Sequence, residues 1–494
     1  MLRVLLAIGA VQMMAMVVLL ARTKGLALLL GPDQVGILAV IDKLVAVLVQ
    51  TASLSLPFAA VRFLPALWDA DRREFHVRLR AMSVTLAALS LVAMVVGVVV
   101  TMIDPERWGR ELQPYRFVVF VAFFTVPVQV LVPFVQNAVA AGFVPRRSMF
   151  FYLAHAIVFT VSAVVGAWWS GLSGIFLLYA ALGSVFAGVA LVRLNKPTDP
   201  SIRLPPPTLS TLALPAPVWR FSLAFVGLAF LMPYAALFIH YRILTDQGAN
   251  AAGWMQAAIG IALAVRGVLG SAHPTFLTPQ LTRGGTPEER MRWAGEFQKT
   301  FCILTGIVLP PLLLFPDVAV RLLYSPAFLP GARFVFIFVL VEIVILLAGT
   351  YQVIVLALNR IAFHVGQNLV AQLITIAVGA TAIPTLGIAG AGLATLSAQV
   401  FLYISTTTFL RRTFQLRLSA RTSVITLYLV AMLVTCGVAG RFPAEMLWTA
   451  VAARLGLYVV LAGGLLLFLT AEDHIKLRQL FQQVSGRFLS RQAP

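Results

Sequence analysis

ARTKGLALLLGPDQVGILAVIDKLVAVLVQTASLSLPFAAVRFL, residues Ala21–Leu64, is the stretch that decides the fold. Two long apolar runs meet at a short polar turn, Gly31–Pro32–Asp33–Gln34. A helix needs about 20 mostly apolar residues to cross a bilayer, and each run is of that order. Yet the first run carries Arg22 and Lys24, the second carries Asp42–Lys43, and Arg62 stands at its far end. Ionisable groups within spanning helices are costly and mark pathways or binding sites, so these charges require a pocket or a partner.

The rest of the chain has the same texture. Its 494 residues are 60% hydrophobic and 11% charged, with a mean hydropathy of +0.94. A soluble domain has about 25% charged residues. The solvent for most of this chain is therefore lipid. The formal charge of +19, from 37 Lys and Arg against 18 Asp and Glu, is scattered over short loops. That pattern is one of membrane topology and not of a nucleic-acid surface. The two cysteines, Cys302 and Cys436, both lie in apolar runs and offer neither a disulfide framework nor metal spacing. The first apolar run has a basic start at Arg3 but continues past Arg22, so it reads as a retained helix and not a cleaved signal.

Fourteen spans are expected, at residues 4–30, 35–61, 80–101, 116–139, 149–169, 172–192, 219–241, 251–273, 299–321, 333–357, 362–383, 387–410, 423–440 and 447–470. With the N-terminus in the cytoplasm, 25 of the 37 basic residues fall in inside segments and seven in outside loops. This bias predicts an even number of spans with both termini cytoplasmic. The expectation is an all-α polytopic protein built from two parallel six-helix repeats plus two C-terminal helices.

The repeat is read from two fixed offsets that differ by a single position. At the longer offset, Gly31 matches Gly248, Gly36 matches Gly253 and Pro57 matches Pro274. At the shorter, Gln136 matches Gln352, Gly171 matches Gly387 and Gly174 matches Gly390. These matches fall at equivalent spans, and six spans restore the direction of the chain, so the halves are parallel repeats around a central cleft. Such halves suit alternating access. The expected divisions are an N-terminal lobe at 1–194, a Pro-rich cytoplasmic linker at 195–217, a C-terminal lobe at 218–412, an extra helix pair at 413–471 and a basic cytoplasmic tail at 472–494. Ala21–Leu64 is then paired with Phe238–Leu281, both facing the cleft.

No nucleotide-binding loop, nucleophile elbow or zinc-binding motif stands out, so ATP-driven or hydrolytic chemistry is not expected. A membrane-embedded glycan polymerase or ligase would want catalytic groups on a large outside loop, and the outside loops are short. Arg22 and Lys24 lie roughly 200° apart on a helix, so they need not share a face. They read either as a cationic wall for an anionic headgroup or as side chains snorkelling to the interface. Asp42–Lys43 is either an ion-binding or charge-pair site within the membrane or a local pair near the interface. Arg62 reads as an inner anchor before a cavity residue. Arg266, deep in the eighth span, reads as a cavity residue. Glu342 is an acid deep in the tenth span, a candidate to bind a coupling proton or sodium, to pair with a cation, or to hydrogen-bond as a neutral acid between helices. Gln136, Asn137 and Gln352 can bond sugar hydroxyls or tie helices together.

These residues resemble a family. The run Arg22–Leu67, with its basic residues late in span one, its LLGP turn and its long second span, resembles the start of Wzx-type polysaccharide-export flippases. These belong to the multidrug/oligosaccharidyl-lipid/polysaccharide exporter superfamily. AGWMQAAIGIALAVRGVLGSAHPTFLTPQLTR (252–283) is similar to the segment that opens the family's second half. LALNRIAFHVGQNLVAQLITIAVGATAIPTLGIAGAGLATLSAQ (356–399) is similar to its late C-terminal region. The resemblance implies a MATE-like fold and, in the cell inner membrane, a flippase for a prenyl-diphosphate-linked oligosaccharide in surface polysaccharide biosynthesis. It implies partnership with membrane lipid, a polysaccharide polymerase and other biosynthesis proteins, no nucleic acid, and no cofactor beyond a coupling proton or sodium. Lipid II flippases of the MurJ type are relatives with fourteen spans and a cationic cavity. The resemblance carries that cavity role onto Arg22, Lys24, Arg62 and Arg266. A MATE-type small-molecule antiporter is the alternative within the same fold. Five bases against two acids within the spans speak against cationic drugs as cargo.

Overall fold

The computed structural model describes residues 2–104, 108–141, 145–196, 204–206, 208, 212–270, 281, 286–440 and 447–467. The tail 472–494, Pro274 and residues 197–203, 207 and 209–211 of the linker lie outside the described residues. The described chain is helical, and nine of its helices are long and apolar enough to cross a membrane. Two of these, Met14–Ser53 and Phe150–Asn195, run to 40 and 46 residues. Each breaks at its middle, so each accounts for two of the fourteen expected spans.

The first lobe begins with α1 (Leu2–Ser53), α2 (Leu56–Ala70) and α3 (Arg72–Ile103), then a 3₁₀ turn at Arg110–Tyr115. It continues with α4 (Arg116–Ala122), α5 (Val126–Ala141) and α6 (Pro145–Asn195). The second lobe holds α7 (Ala216–Ala224), α8 (Val226–Gln247), α9 (Ala249–Gly270), α10 (Pro287–Val308), α11 (Pro310–Leu314) and α12 (Pro316–Leu323). A 3₁₀ turn at Pro326–Gly331 follows, then α13 (Ala332–Ala357), α14 (Ile361–Leu386) and α15 (Ile388–Phe414). The chain goes on with α16 (Ala420–Ala439) and α17 (Leu447–Leu466).

The repeat is written into the backbone. Gly31 has φ 73° and ψ 175°, and its repeat partner Gly248 has φ 86° and ψ 171°. Gly171 has φ 61° and ψ −139°, and its partner Gly387 has φ 60° and ψ −132°. Glycine adopts these conformations at no steric cost, which is why it stands where one span turns into the next. The two 3₁₀ turns, Arg110–Tyr115 and Pro326–Gly331, fall at the same offset as Gly171 and Gly387.

The fourth span carries a 3₁₀ turn at Phe123–Thr125, the seventh breaks at Phe225, and two others differ more. The second, expected to run unbroken over 35–61, stops at Ser53, and the chain passes through Leu54 and Ser55 at φ 45° and 57° before α2. Pro57 explains the stop. It has no N–H for the carbonyl of Ser53, and its ring would clash there. The ninth, expected at 299–321, is three helices, because Pro310–Pro311 and Pro316 interrupt it, and its first helix starts earlier, at Pro287.

The two C-terminal helices pack on the second lobe, against α10 and α11, and α1 is not among their main partners. A buried polar network fixes α16 there. Gln298 on α10 donates to Thr426 on α16 at 2.7 Å and accepts from the hydroxyl of Tyr351 on α13. Arg454 on α17 donates to the carbonyl of Leu314 at 2.8 Å, a cation at the C-terminal end of α11.

Candidate functional site

The two lobes meet along α1, which packs against both α8 and α9 of the second lobe. At the Gly31 end the contact is reciprocal. A β-carbon on Gly36 would overlap the carbonyl of Ala249 and lie 2.7 Å from the amide nitrogen of Gly253. A β-carbon on Gly253 would overlap the carbonyl of Pro32. Gly36 and Gly253 are repeat partners, and so are Pro32 and Ala249. Each lobe therefore offers the same patch to the other, as in an isologous interface, and the pseudo-twofold axis passes between them. Small residues let the backbones touch, and that close approach is what glycine provides in lipid, where apolar burial gives no drive to associate.

Further along this seam lie the charges. The Arg22 guanidinium sits 4.0 Å from the ring centroid of Phe159 on α6, and its Nε is buried with no hydrogen-bond partner. Phe159 packs at 4.9 Å on Tyr179, whose hydroxyl lies 3.2 Å from His155 Nε2. Asp42 is within electrostatic reach of both Arg22 and Lys43. Lys43 in turn feels Arg266 across the seam. Arg266 donates to Glu342 at 3.0 Å, and its side chain stays 44% exposed while that of Glu342 is 9% exposed. His240 on α8 lies near Lys43 and bonds Gln256 at 3.3 Å. A line of ionisable groups thus crosses from lobe to lobe, three cations (Arg22, Lys43, Arg266) against two carboxylates (Asp42, Glu342).

The five groups are not equivalent. Glu342 is committed to Arg266, so the deep acid of the second lobe is an ion-pair member as the structure stands. Arg266 gives one donor to that bond, and its side chain is otherwise half-exposed. A guanidinium can hold a carboxylate and a phosphate oxygen together, because its donors form a planar fork.

The other sequence-predicted residues lie elsewhere. Lys24 is near the Gly31 end, where its ammonium donates to the carbonyl of Arg321 at 2.8 Å and to that of Tyr324. Arg62 is at the opposite end, exposed, 3.4 Å from Asn359 Oδ1 and stacked 5.0 Å from the ring of Phe221. It bridges the lobes but does not join the central charges. Asn137 donates to the carbonyl of Pro57 at 3.3 Å, a tie between α5 and α2. Gln136 and Gln352 are half-buried on α5 and α13. Residues that sequence reading passed over include Tyr179 and Tyr324, both within electrostatic reach of Arg22, and His240. The repeat held a signal for one of these, since His240 is the repeat partner of Thr23, the neighbour of Arg22.

No protein-family model matches the chain, and no curated protein matches it. Solved structures do. The lipid II flippase MurJ in an inward closed conformation superposes with a TM-score of 0.61 at 9% identity, covering 94% of this chain and 99% of that one. A multidrug resistance MATE transporter of the MOP superfamily, in an inward-facing conformation, gives 0.58 at 13% identity, with coverage of 85% and 96%. A MOP superfamily transporter from Pyrococcus furiosus, described as having a binding pocket of reversed polarity, gives 0.54 at 14% identity, with coverage of 86% and 96%. The likeness extends over nearly the whole length of each neighbour. The chain is a multi-pass membrane protein with the fold of the MurJ and MATE transporters, two six-helix repeats followed by two further helices.

Proposed function

We propose that the protein is a flippase that carries a prenyl-diphosphate-linked oligosaccharide across the inner membrane, from the cytoplasmic to the outer leaflet, by alternating access between its two lobes. The observation that carries this reading is the position of Arg266. Its side chain is 44% exposed in the last turns of α9, lies within electrostatic reach of Lys43 of the other lobe, and gives one hydrogen bond to Glu342. Together with Arg22 it offers a diphosphate cationic contacts from both lobes, and rocking of the lobes would carry the headgroup between the two sides. In this reading the prenyl tail stays in lipid and the Gly31 end faces outward. Arg62 marks the cytoplasmic end. Asp42 and Glu342 are the acids that a coupling proton or sodium would use. Gln136 and Gln352, at matching positions of the two lobes, would meet the sugar.

The cation surplus favours an anionic headgroup over a cationic drug. The same headgroup chemistry fits a lipid II-like cargo, and the name of one structural neighbour supports that variant. Purified protein in vesicles is expected to move a fluorescent prenyl-diphosphate oligosaccharide between leaflets. Arg266→Gln is expected to slow this at least tenfold, because a charged hydrogen bond contributes about 1.5–3 kcal/mol. Arg266→Lys, which keeps the charge but loses the fork, should retain part of the rate. Native rates for Arg266→Gln would remove the basis for this assignment.

A further inference from the structure

Lys24 and Tyr241 are repeat partners, on equivalent helices of the two lobes. Lys24 on α1 reaches across to the second lobe, where it donates to the carbonyls of Arg321 and Tyr324 at the end of α12. Tyr241 on α8 reaches the other way. Its hydroxyl donates to Glu111 Oε2 at 3.0 Å, in the 3₁₀ turn Arg110–Tyr115 of the first lobe. The acceptors match as well, because Glu111 lies in the 3₁₀ turn that repeats as Pro326–Gly331, and Tyr324 lies just before that second turn. Each lobe thus extends one donor from its first span to the turn region of the other. The chemistry of the two arms differs. One is an ammonium on helix-end carbonyls, favoured by the negative end of the helix dipole. The other is a phenol on a carboxylate.

We infer that Lys24 and Tyr241 are the two arms of a clasp that holds the Gly31 end of the lobe interface shut, and that both must let go for that end to open. Three observations make this more than a pair of incidental bonds. Both arms cross between lobes, so neither survives a separation of the lobes at that end. Gly109, at φ 96°, leaves bare the space that the Tyr241 hydroxyl fills, since a β-carbon there would overlap it. The opposite end has a weaker counterpart, an exposed Arg62 bond to Asn359 at 3.4 Å. The clasp sets which end rests closed. It does not depend on the identity of the cargo and stands apart from the flippase assignment.

The test is a distance measurement across the Gly31 end of the full chain in lipid nanodiscs. Spin labels at Ser170→Cys and Leu386→Cys, exposed repeat partners at the equivalent turns of the two lobes, report the separation, with Cys302 and Cys436 changed to Ala. The native clasp is expected to give one dominant short distance. Lys24→Met and Tyr241→Phe should each raise the population at longer distance about tenfold, as loss of one such bond implies, and the double variant further. Lys24→Arg should keep the short distance. Gly109→Ala, which leaves both polar arms in place but fills the space of the Tyr241 hydroxyl, should lengthen it as the Tyr241 variant does. An unchanged distribution in either the double variant or Gly109→Ala would overturn the clasp.

Discussion

Gly36→Val is expected to leave the protein unable to close at its Gly31 end. The β-carbon alone overlaps the Ala249 carbonyl and stands 2.7 Å from Gly253 N. Both are backbone atoms on a packed helix, so no rotamer change relieves the overlap. Overpacking in a tight core costs about 1–3 kcal/mol when neighbours can shift, and the upper figure applies where backbone must move. About 3 kcal/mol corresponds to roughly a hundredfold loss of the closed population. The helices themselves do not need this contact, so the variant should still insert and purify. Labelling of a cysteine at Ala252, buried in the same seam, should rise from near zero to rapid with a membrane-impermeant reagent, and net transport should fall by a similar factor. By the pseudo-twofold, Gly253→Val should behave in the same way. A silent Ala252→Cys in both variants would contradict the packing described.

Arg22→Ala is expected to damage both stability and transport, and the two losses should separate on a second substitution. Asp42 lies within electrostatic reach of Arg22 in the first lobe, without a direct hydrogen bond between them. Removing the cation takes away part of the charge that offsets the Asp42 carboxylate, on the order of 2 kcal/mol for groups several ångströms apart. A lower melting temperature in detergent should register it. Arg22→Ala with Asp42→Asn removes the stranded charge and should recover most of the melting temperature. Transport should not recover with it, because the cation that meets the cargo is still missing. Coupling between the two sites, measured as a double-mutant cycle, should therefore be large for stability and small for transport. Recovery of transport in the double variant would make Arg22 a structural counter-ion only.

Much of this was legible in the sequence because glycine and charge have few reasons to stand where they do. Gly31 and Gly248 announced a repeat, and both adopt the left-handed backbone that only glycine takes easily. Arg22, Asp42, Lys43, Arg266 and Glu342 stood out against lipid-depth sequence, and the fold brings them to one seam. What stayed hidden has physical reasons. The break at Leu54–Ser55 lies in an uncharged stretch, where Gln50, Thr51, Ser53 and Ser55 lower the hydropathy without ending the apolar run, and Pro57 is the clearest sign. The sequence offers Lys24 either a cationic wall shared with Arg22 or the interface, but its partners are carbonyls in the other half of the chain, and a carbonyl has no residue-type signature. The place of the last two helices depends on Gln298, Tyr351 and Thr426, polar residues that are individually ordinary, on three separate helices.

Everything proposed for transport rests on the seam between the lobes handling an anionic headgroup. The direct measurement compares two fluorescent lipids with the same prenyl tail and the same oligosaccharide in vesicles containing the native protein. One carries a diphosphate linkage and the other an uncharged linkage. The diphosphate lipid is expected to cross at least about tenfold faster, the share of one charged hydrogen bond, and Arg22→Gln with Arg266→Gln should bring it down to the rate of the uncharged lipid. Equal rates for the two lipids in the native protein would contradict a cationic seam as the seat of transport.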